Sequence, residues 1–316
     1  MIKNKKSFIV GIKGKKLNRK EITFLKKYKP WGIILFSRNI NSIKQTKNLT
    51  DHIKKIFKDK NYPIMIDEEG GKVSRLKKII DTSLFSHKLF GEMYIKDNKR
   101  FNLYFATYVK QLSYVLTLLG ININTVPVLD VIRKFSSKVL KDRCYSSNPK
   151  IVSKLGNLCI ETFNKYGIAT VIKHIPGHGP SRKDSHFEVP IVNDKISKLK
   201  KIDFLPFKKK KSYLAMTAHV VYTSIDKFNT ATHSKKVIKL IRNNIGFKNI
   251  IMSDDISMRA LKFSLKENTI KAFTAGCNLV LHCNGNLKEM TIVAKNSPSI
   301  NDFIRKKNAN LNKLFI

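Results

Sequence analysis

"IATVIKHIPGHGPSRKDSH", residues 168 to 186, decides how the rest of the chain is read. Its first seven residues form a run rich in β-branched side chains that closes on Lys173 and His174. Pro176, Gly177, Gly179 and Pro180 then forbid a helix. A strand that is apolar throughout and polar only at its C-terminal end belongs in a parallel sheet covered on both faces by helices.

Seven further short, β-rich apolar runs recur along the chain: "FIVGI" (8–12), "GIILF" (32–36), "PIMIDEE" (63–69), "INTVPVLD" (123–130), "YLAMTAH" (213–219), "NIIMSDD" (249–255) and "AGCNLVLHC" (275–283). Between them lie stretches with helical spacing of apolar residues, such as "SIKQTKNLTDHIKKIFKD" (42–59) and "SKKVIKLIRNNIG" (234–246). Eight strand and helix units in 316 residues predict an α/β fold, a TIM (β/α)8 barrel, as a single domain over residues 1–316. A doubly wound open sheet is the second choice. The polar residues favour the barrel, because they gather at strand ends: Asp67, Glu68 and Glu69, then Asp130, Lys173 and His174, His219, and Asp254 with Asp255. In a barrel those ends converge on one mouth, where active sites form.

Composition narrows the function classes. Hydrophobic residues make up 42% of the chain, and 62 Lys and Arg against 22 Asp and Glu give a formal charge of +40. The basic residues are dispersed ("KNKK" at 3–6, "KKLNRK" at 15–20, "KKK" at 208–210, "RKKN" at 305–308) and read as solvated helix faces. Aromatic residues do not interleave with them as they do on a stacking platform, so no nucleic-acid partner is expected. A basic polyanion-binding protein on a barrel scaffold is the least favoured reading. Cys144, Cys159, Cys277 and Cys283 form no CxxC pair, which argues against a disulfide framework or a zinc ribbon. No signal-peptide core and no membrane-length apolar stretch is present, so a cytoplasmic protein without a membrane partner is expected; a monomer is expected as well.

The opening stretch offers His174, His178, Asp184 and His186 as metal donors, but the glycines and prolines remove the helix that an i, i+4 histidine pair needs. No metal or cofactor is expected. Proton transfer fits better: an Asp two residues from a His holds the imidazole in one tautomer, which makes Asp184 and His186 a candidate dyad. Asp254 adds a carboxylate able to act as nucleophile or as stabiliser of a cationic transition state. Together these groups describe glycoside or acyl-group transfer.

Four ordered blocks make the reading specific. "IDEEGGKVSRL" (66–76), "KHIPGHGPSRKDSH" (173–186), "AMTAHVVY" (215–222) and "IIMSDDISM" (250–258) resemble the signature blocks of the β-N-acetylhexosaminidases of glycoside hydrolase family 3. "VPVLDV" (126–131), "DRCY" (142–145) and "AGCNLVL" (275–281) extend the likeness across the barrel, closest to the short bacterial enzymes that trim N-acetylglucosamine from peptidoglycan fragments in cell-wall recycling. The resemblance implies a retaining exo-β-N-acetylglucosaminidase acting on a muropeptide or disaccharide. Asp254 would be its nucleophile, with Asp255 the competitor for that role, and His186 its acid/base with Asp184 as partner. Asp67, Arg75, Arg143, Lys173 and His174 would hold the sugar. A histidine acid/base also suits attack by phosphate, so a β-N-acetylglucosaminide phosphorylase is the alternative. Gly70, Gly71, Gly177 and Gly179 are read as structural, His178 as bonding within its loop, and Asp130 as the group that orients Arg143. The chain departs from the usual pattern at Glu68, where Gln is commoner, at Lys72 (Arg), Ile175 (Phe) and Cys144 (Ser or Ala), and at His282 on a normally apolar position.

Overall fold

Each of the eight apolar runs contributes a strand to one closed sheet. The computed structural model describes residues 5–137, 140–181, 185 and 188–315. Its barrel strands are β1 (Lys6–Gly11), β2 (Pro30–Leu35), β3 (Ile64–Ile66), β4 (Ile123–Asn124), β5 (Ala169–Ile175), β7 (Leu214–Thr217), β9 (Ile250–Asp255) and β10 (Leu279–His282). They are parallel and close in the order β1-β10-β9-β7-β5-β4-β3-β2. The TIM barrel expected from the sequence is therefore the observed fold, and the open sheet is excluded.

The helices α1 (Arg19–Tyr28), α2 (Ile43–Phe57), α3 (His87–Lys96), α4 (Asn98–Leu118), α5 (Pro149–Lys165), α6 (Ile196–Lys201), α7 (Lys235–Leu240), α8 (Leu265–Ala275), α9 (Leu287–Asn296) and α10 (Asp302–Asn312) surround the sheet. Local chemistry sets their limits. Asn18 and Glu21 form a reciprocal capping box at the start of α1, and Ser264 and Glu267 do the same for α8. The segment 234–246, expected as one helix, is α7 followed by a single π-helical turn at Ile241–Ile245 that stops on Gly246. Among the described residues no helix is long and apolar enough to cross a membrane.

Two strands are shorter than their apolar runs. β4 ends at Asn124, and beyond it the chain keeps only scattered bonds to its neighbours: Pro127, which lacks an amide donor, accepts the Lys173 N–H at 3.2 Å, and the Leu129 N–H reaches the Lys173 carbonyl at 2.7 Å. The residues thus freed carry Asp130 over the mouth. A small parallel pair, β6 (Ile191–Val192) and β8 (Val221–Tyr222), lies outside the barrel among the loops after β5 and β7.

Ile9, Ile34, Met65, Ile123, Val171, Leu214, Ile250 and Leu279 come one from each barrel strand, yet they belong to a single buried cluster. Only the barrel lumen can bring all eight strands together in this way. The same cluster takes in Trp31 at the start of β2 and Ile304 and Leu311 from α10, which stop the lumen at the end opposite the mouth. Trp31, the single tryptophan, is fully buried. Trp31→Ala should lower the unfolding free energy by about 3–5 kcal/mol, measured by guanidinium titration followed by far-ultraviolet circular dichroism.

Candidate active site

Asp67, Glu68 and Glu69 follow directly on β3. Side chains alternate along an extended chain, so the first and third share a side and the second faces away. Lys173, at the end of β5, uses this arrangement: its ammonium lies 3.0 Å from Asp67 and 2.7 Å from Glu69, and its side chain is only 2% exposed. It also donates to the Thr125 hydroxyl at 2.7 Å, and Thr125 in turn bonds Asp67. Arg143 grips Glu69 through Nε and Nη2, both at 2.8 Å, in the paired geometry that suits guanidinium and carboxylate. Arg75 reaches Asp67 at 3.8 Å.

These cations decide the charge state. Burial pushes the Glu69 carboxyl up, but Arg143 and Lys173 outweigh it and hold the group well below the ordinary glutamate range. At Asp67 burial is likewise outweighed, by Lys173, Arg75 and the Thr125 hydroxyl. Both carboxylates are therefore ionised and fixed as hydrogen-bond acceptors.

His174 stands beside Lys173. Its Nδ1 is 2.7 Å from Oδ2 of Asp130, whose other oxygen accepts the His178 amide at 2.6 Å. Burial raises the Asp130 pKa, and His174 and His178 more than reverse that. The expectation that Asp130 orients Arg143 is thus corrected: Asp130 anchors His174, and Glu69 anchors Arg143. With Nδ1 committed, Nε2 is the ring nitrogen of His174 left to meet a ligand in the cleft. Burial, reinforced by His174, lowers the His178 pKa to about 4, so this ring is neutral. The loop that follows runs so close to its neighbours that a Cβ on Gly179 would sit 1.9 Å from the Val131 carbonyl oxygen.

Asp254 and Asp255 end β9 and separate in role. Asp254 lines the cleft, whereas Asp255 turns back to accept the amide (3.0 Å) and hydroxyl (2.8 Å) of Ser257. Burial pushes the Asp254 carboxyl up, but His219, His174, the Asp255 amide and Lys173 together hold it below the usual aspartate range. His219 lies behind it, fully buried, with Nδ1 2.7 Å from the Thr232 hydroxyl and Nε2 2.9 Å from the Asp255 carbonyl.

Asp67, Arg75, Arg143, Lys173, His174 and Asp254, all named from the sequence, line one cleft of about 200 Å³. Its apolar wall, Met216 and Leu281, reads in the sequence only as strand core. Glu69 was missed as a site residue, although strand alternation from Asp67 could have placed it there. Asp184 and His186 lie outside the described residues. Ser185, between them in sequence, lines the cleft and accepts the Ala260 amide at 3.2 Å. Among the described residues no three His, Cys, Asp or Glu side chains gather as metal ligands would. A wider hollow of about 860 Å³ at Lys13, Arg19 and Asn284 has Glu21 as its carboxylate, which is committed to capping α1.

The family model for the glycosyl hydrolase family 3 N-terminal domain matches residues 2–307. The chain is 34% identical over 264 residues to the beta-hexosaminidase of Nitrosomonas eutropha, covering 80% of this chain and 73% of that one. Against beta-hexosaminidase A of Pseudoalteromonas piscicida it is 29% identical over 279 residues, covering 81% of this chain but 46% of the relative. Native NagZ from Neisseria gonorrhoeae superposes with a TM-score of 0.82 at 26% identity, covering 98% of this chain and 96% of that one. The family 3 β-N-acetylglucosaminidase from Paenibacillus shares the fold, with a TM-score of 0.83 at 24% identity over 97% of this chain and 60% of that one. The chain thus spans about half to three-fifths of some relatives and nearly all of another.

Replacing Glu69 tests the buried charge cluster. Folding lowers the Glu69 pKa below its ordinary 4.5, so its contribution is fully present above that value and is lost as pH falls through the folded-state pKa. Glu69→Gln leaves Arg143 facing a neutral amide and should cost about 3–5 kcal/mol near neutral pH. Chemical denaturation of both proteins across a pH series should show the gap closing only in acid.

Proposed function

The chain belongs to glycoside hydrolase family 3, and from that premise we propose that it is a retaining exo-β-N-acetylglucosaminidase. It would remove terminal β-1,4-linked N-acetylglucosamine from peptidoglycan fragments, muropeptides or disaccharides, in cell-wall recycling. One observation carries this reading: an ionised carboxylate, Asp254, lies in a closely fitted polar cleft that also holds Asp67, Arg75, Arg143, Lys173 and His174. A sugar offers hydroxyls that both donate and accept, and this wall supplies acceptors at Asp67 and donors at Arg75, Arg143 and Lys173.

In the proposed reaction the Asp254 carboxylate attacks the anomeric carbon as the glycosidic C–O bond breaks, and His186 gives its proton to the leaving oxygen. Asp184 holds the imidazole in the tautomer that this transfer requires. His186, now neutral, takes a proton from water, whose oxygen displaces Asp254 and restores the original anomeric configuration. The ordering of charges supports Asp254 for the first step, since a nucleophile must be ionised at the working pH and its neighbours keep it so.

A chromogenic N-acetylglucosaminide should be cleaved in preference to the corresponding glucoside, and equally well in buffers with and without phosphate. Phosphate-dependent release of the sugar 1-phosphate would establish the phosphorylase instead. Asp254→Asn should abolish turnover in a folded protein. A slow substrate should label Asp254 covalently in the wild type, and mass mapping that finds the label on Asp255 would reverse the assignment.

For His186→Ala the loss should depend on the leaving group. Cleavage of a disaccharide should fall by about 100-fold to 10,000-fold, the usual worth of a general acid. An activated aryl glycoside should still form the covalent intermediate, which should accumulate because its hydrolysis has lost the base. Burst kinetics on both substrates check this, with Asp184→Asn expected to show a milder form of the same defect.

A further inference from the structure

Glu68 is the acidic residue of the 67–69 triplet that the mechanism leaves unused. Its side chain is buried on the side away from Lys173. One oxygen accepts the backbone N–H groups of Arg75 at 2.6 Å and Leu76 at 2.9 Å, and the other accepts the Thr82 hydroxyl at 2.5 Å. Among the described residues no ammonium or guanidinium pairs with it, so only hydrogen bonds oppose its burial, and burial still holds the carboxyl above the ordinary glutamate range. The main chain of Glu68 is itself clamped to β4: Asn124 accepts its N–H at 3.0 Å and donates to its carbonyl at 2.9 Å.

What this carboxylate holds is the backbone of Arg75, and among the described residues little else fixes that residue. Among the described residues the Arg75 guanidinium has one ion pair, 3.8 Å from Asp67, and lies 5.4 Å from the centre of the Phe36 ring. Its Nε is buried and makes no hydrogen bond. A side chain so loosely held by its own contacts takes its place from its backbone. The backbone in turn is tied through Glu68 and Asn124 to the barrel wall.

We infer that Glu68 is a positioning residue for sugar binding: by anchoring the Arg75 and Leu76 amides to the end of β3, it holds the Arg75 guanidinium against the cleft. The role rests on the function proposed above. A Gln here could fill the same role, since its carbonyl can accept both amides while its NH2 donates to a reversed Thr82 hydroxyl. An aliphatic or truncated residue would leave two buried N–H groups without acceptors.

The test measures KM and kcat on a chromogenic N-acetylglucosaminide for wild type, E68Q, Glu68→Ala, Arg75→Ala and the double variant. Calorimetric binding of N-acetylglucosamine and thermal unfolding accompany the kinetics. Glu68→Ala should raise KM and the sugar Kd about 10-fold with kcat little changed, and the double variant should be no worse than Arg75→Ala, because both remove one interaction. E68Q should stay near wild type. Amide hydrogen exchange in the peptide around Arg75 should quicken in Glu68→Ala and not in E68Q. If Glu68→Ala does not fold, Glu68→Asp carries the same expectation, since it keeps the charge but draws the acceptor back by one methylene. Fully additive losses in the double variant, E68Q as impaired as Glu68→Ala, or Glu68 variants with wild-type KM beside a defective Arg75→Ala would each overturn the inference. A folded wild type that neither cleaves nor binds the sugar would instead overturn the function on which it rests.

Discussion

The ammonium of Lys173, buried between Asp67 and Glu69, is the interaction on which the mouth of the barrel depends. It joins β5 directly to the end of β3, two strands otherwise connected only through the two-residue β4 between them. By neutralising part of two adjacent carboxylates it lets Glu69 hold Arg143 and lets Asp67 hold Arg75. Remove that positive centre and the carboxylates would repel one another in a region from which water is largely excluded. The site is therefore a set of mutually dependent charges, each of which makes its neighbour's ionisation tolerable.

This balance is local. The chain as a whole carries 62 basic and 22 acidic side chains, yet at the mouth Asp67, Glu69, Asp130 and Asp254 face Lys173, Arg75 and Arg143. A near-cancelling set of fixed charges and dipoles suits a neutral, hydroxyl-rich ligand, because it can polarise each hydroxyl without attracting any one ion strongly. The surplus positive charge is carried elsewhere, on helices and loops whose lysines are exposed.

Much of the fold was legible because a strand buried on both faces leaves an unbroken apolar run, and eight such runs at barrel spacing admit few arrangements. The strand lengths were not, since the regular pairing of β4 stops at Asn124 while its apolar run goes on, and a hydrophobic pattern does not register that. β6 and β8 escaped notice because two paired residues each are too short to show a period. In the site, residues at strand ends announced themselves by being ionisable after an apolar run. Their partners did not: Asp130 and Glu69 are both acids within reach of cations, and which one met Arg143 and which His174 depends on angles around the barrel that no linear spacing encodes. Glu68 looked like one more member of an acidic triplet, and only strand alternation separates its task from that of its neighbours.

The closure of the sheet has a temporal side. β1 pairs with β2 along one edge but with β10 along the other, Phe8 beside Val280, and the segments flanking them are stitched together where Ser7 bonds Pro298 and Ile300 bonds Lys5. A ribosome makes β1 first among the barrel strands and β10 last. Until β10 has been made, β1 must therefore wait with a row of open amides and carbonyls and with Phe8 and Val10 lacking their final neighbours, the condition in which strand edges find wrong partners. The growing chain is thus most exposed to misassembly through its earliest strand, and the exposure ends only when the strand of Leu279–His282 arrives to complete the ring.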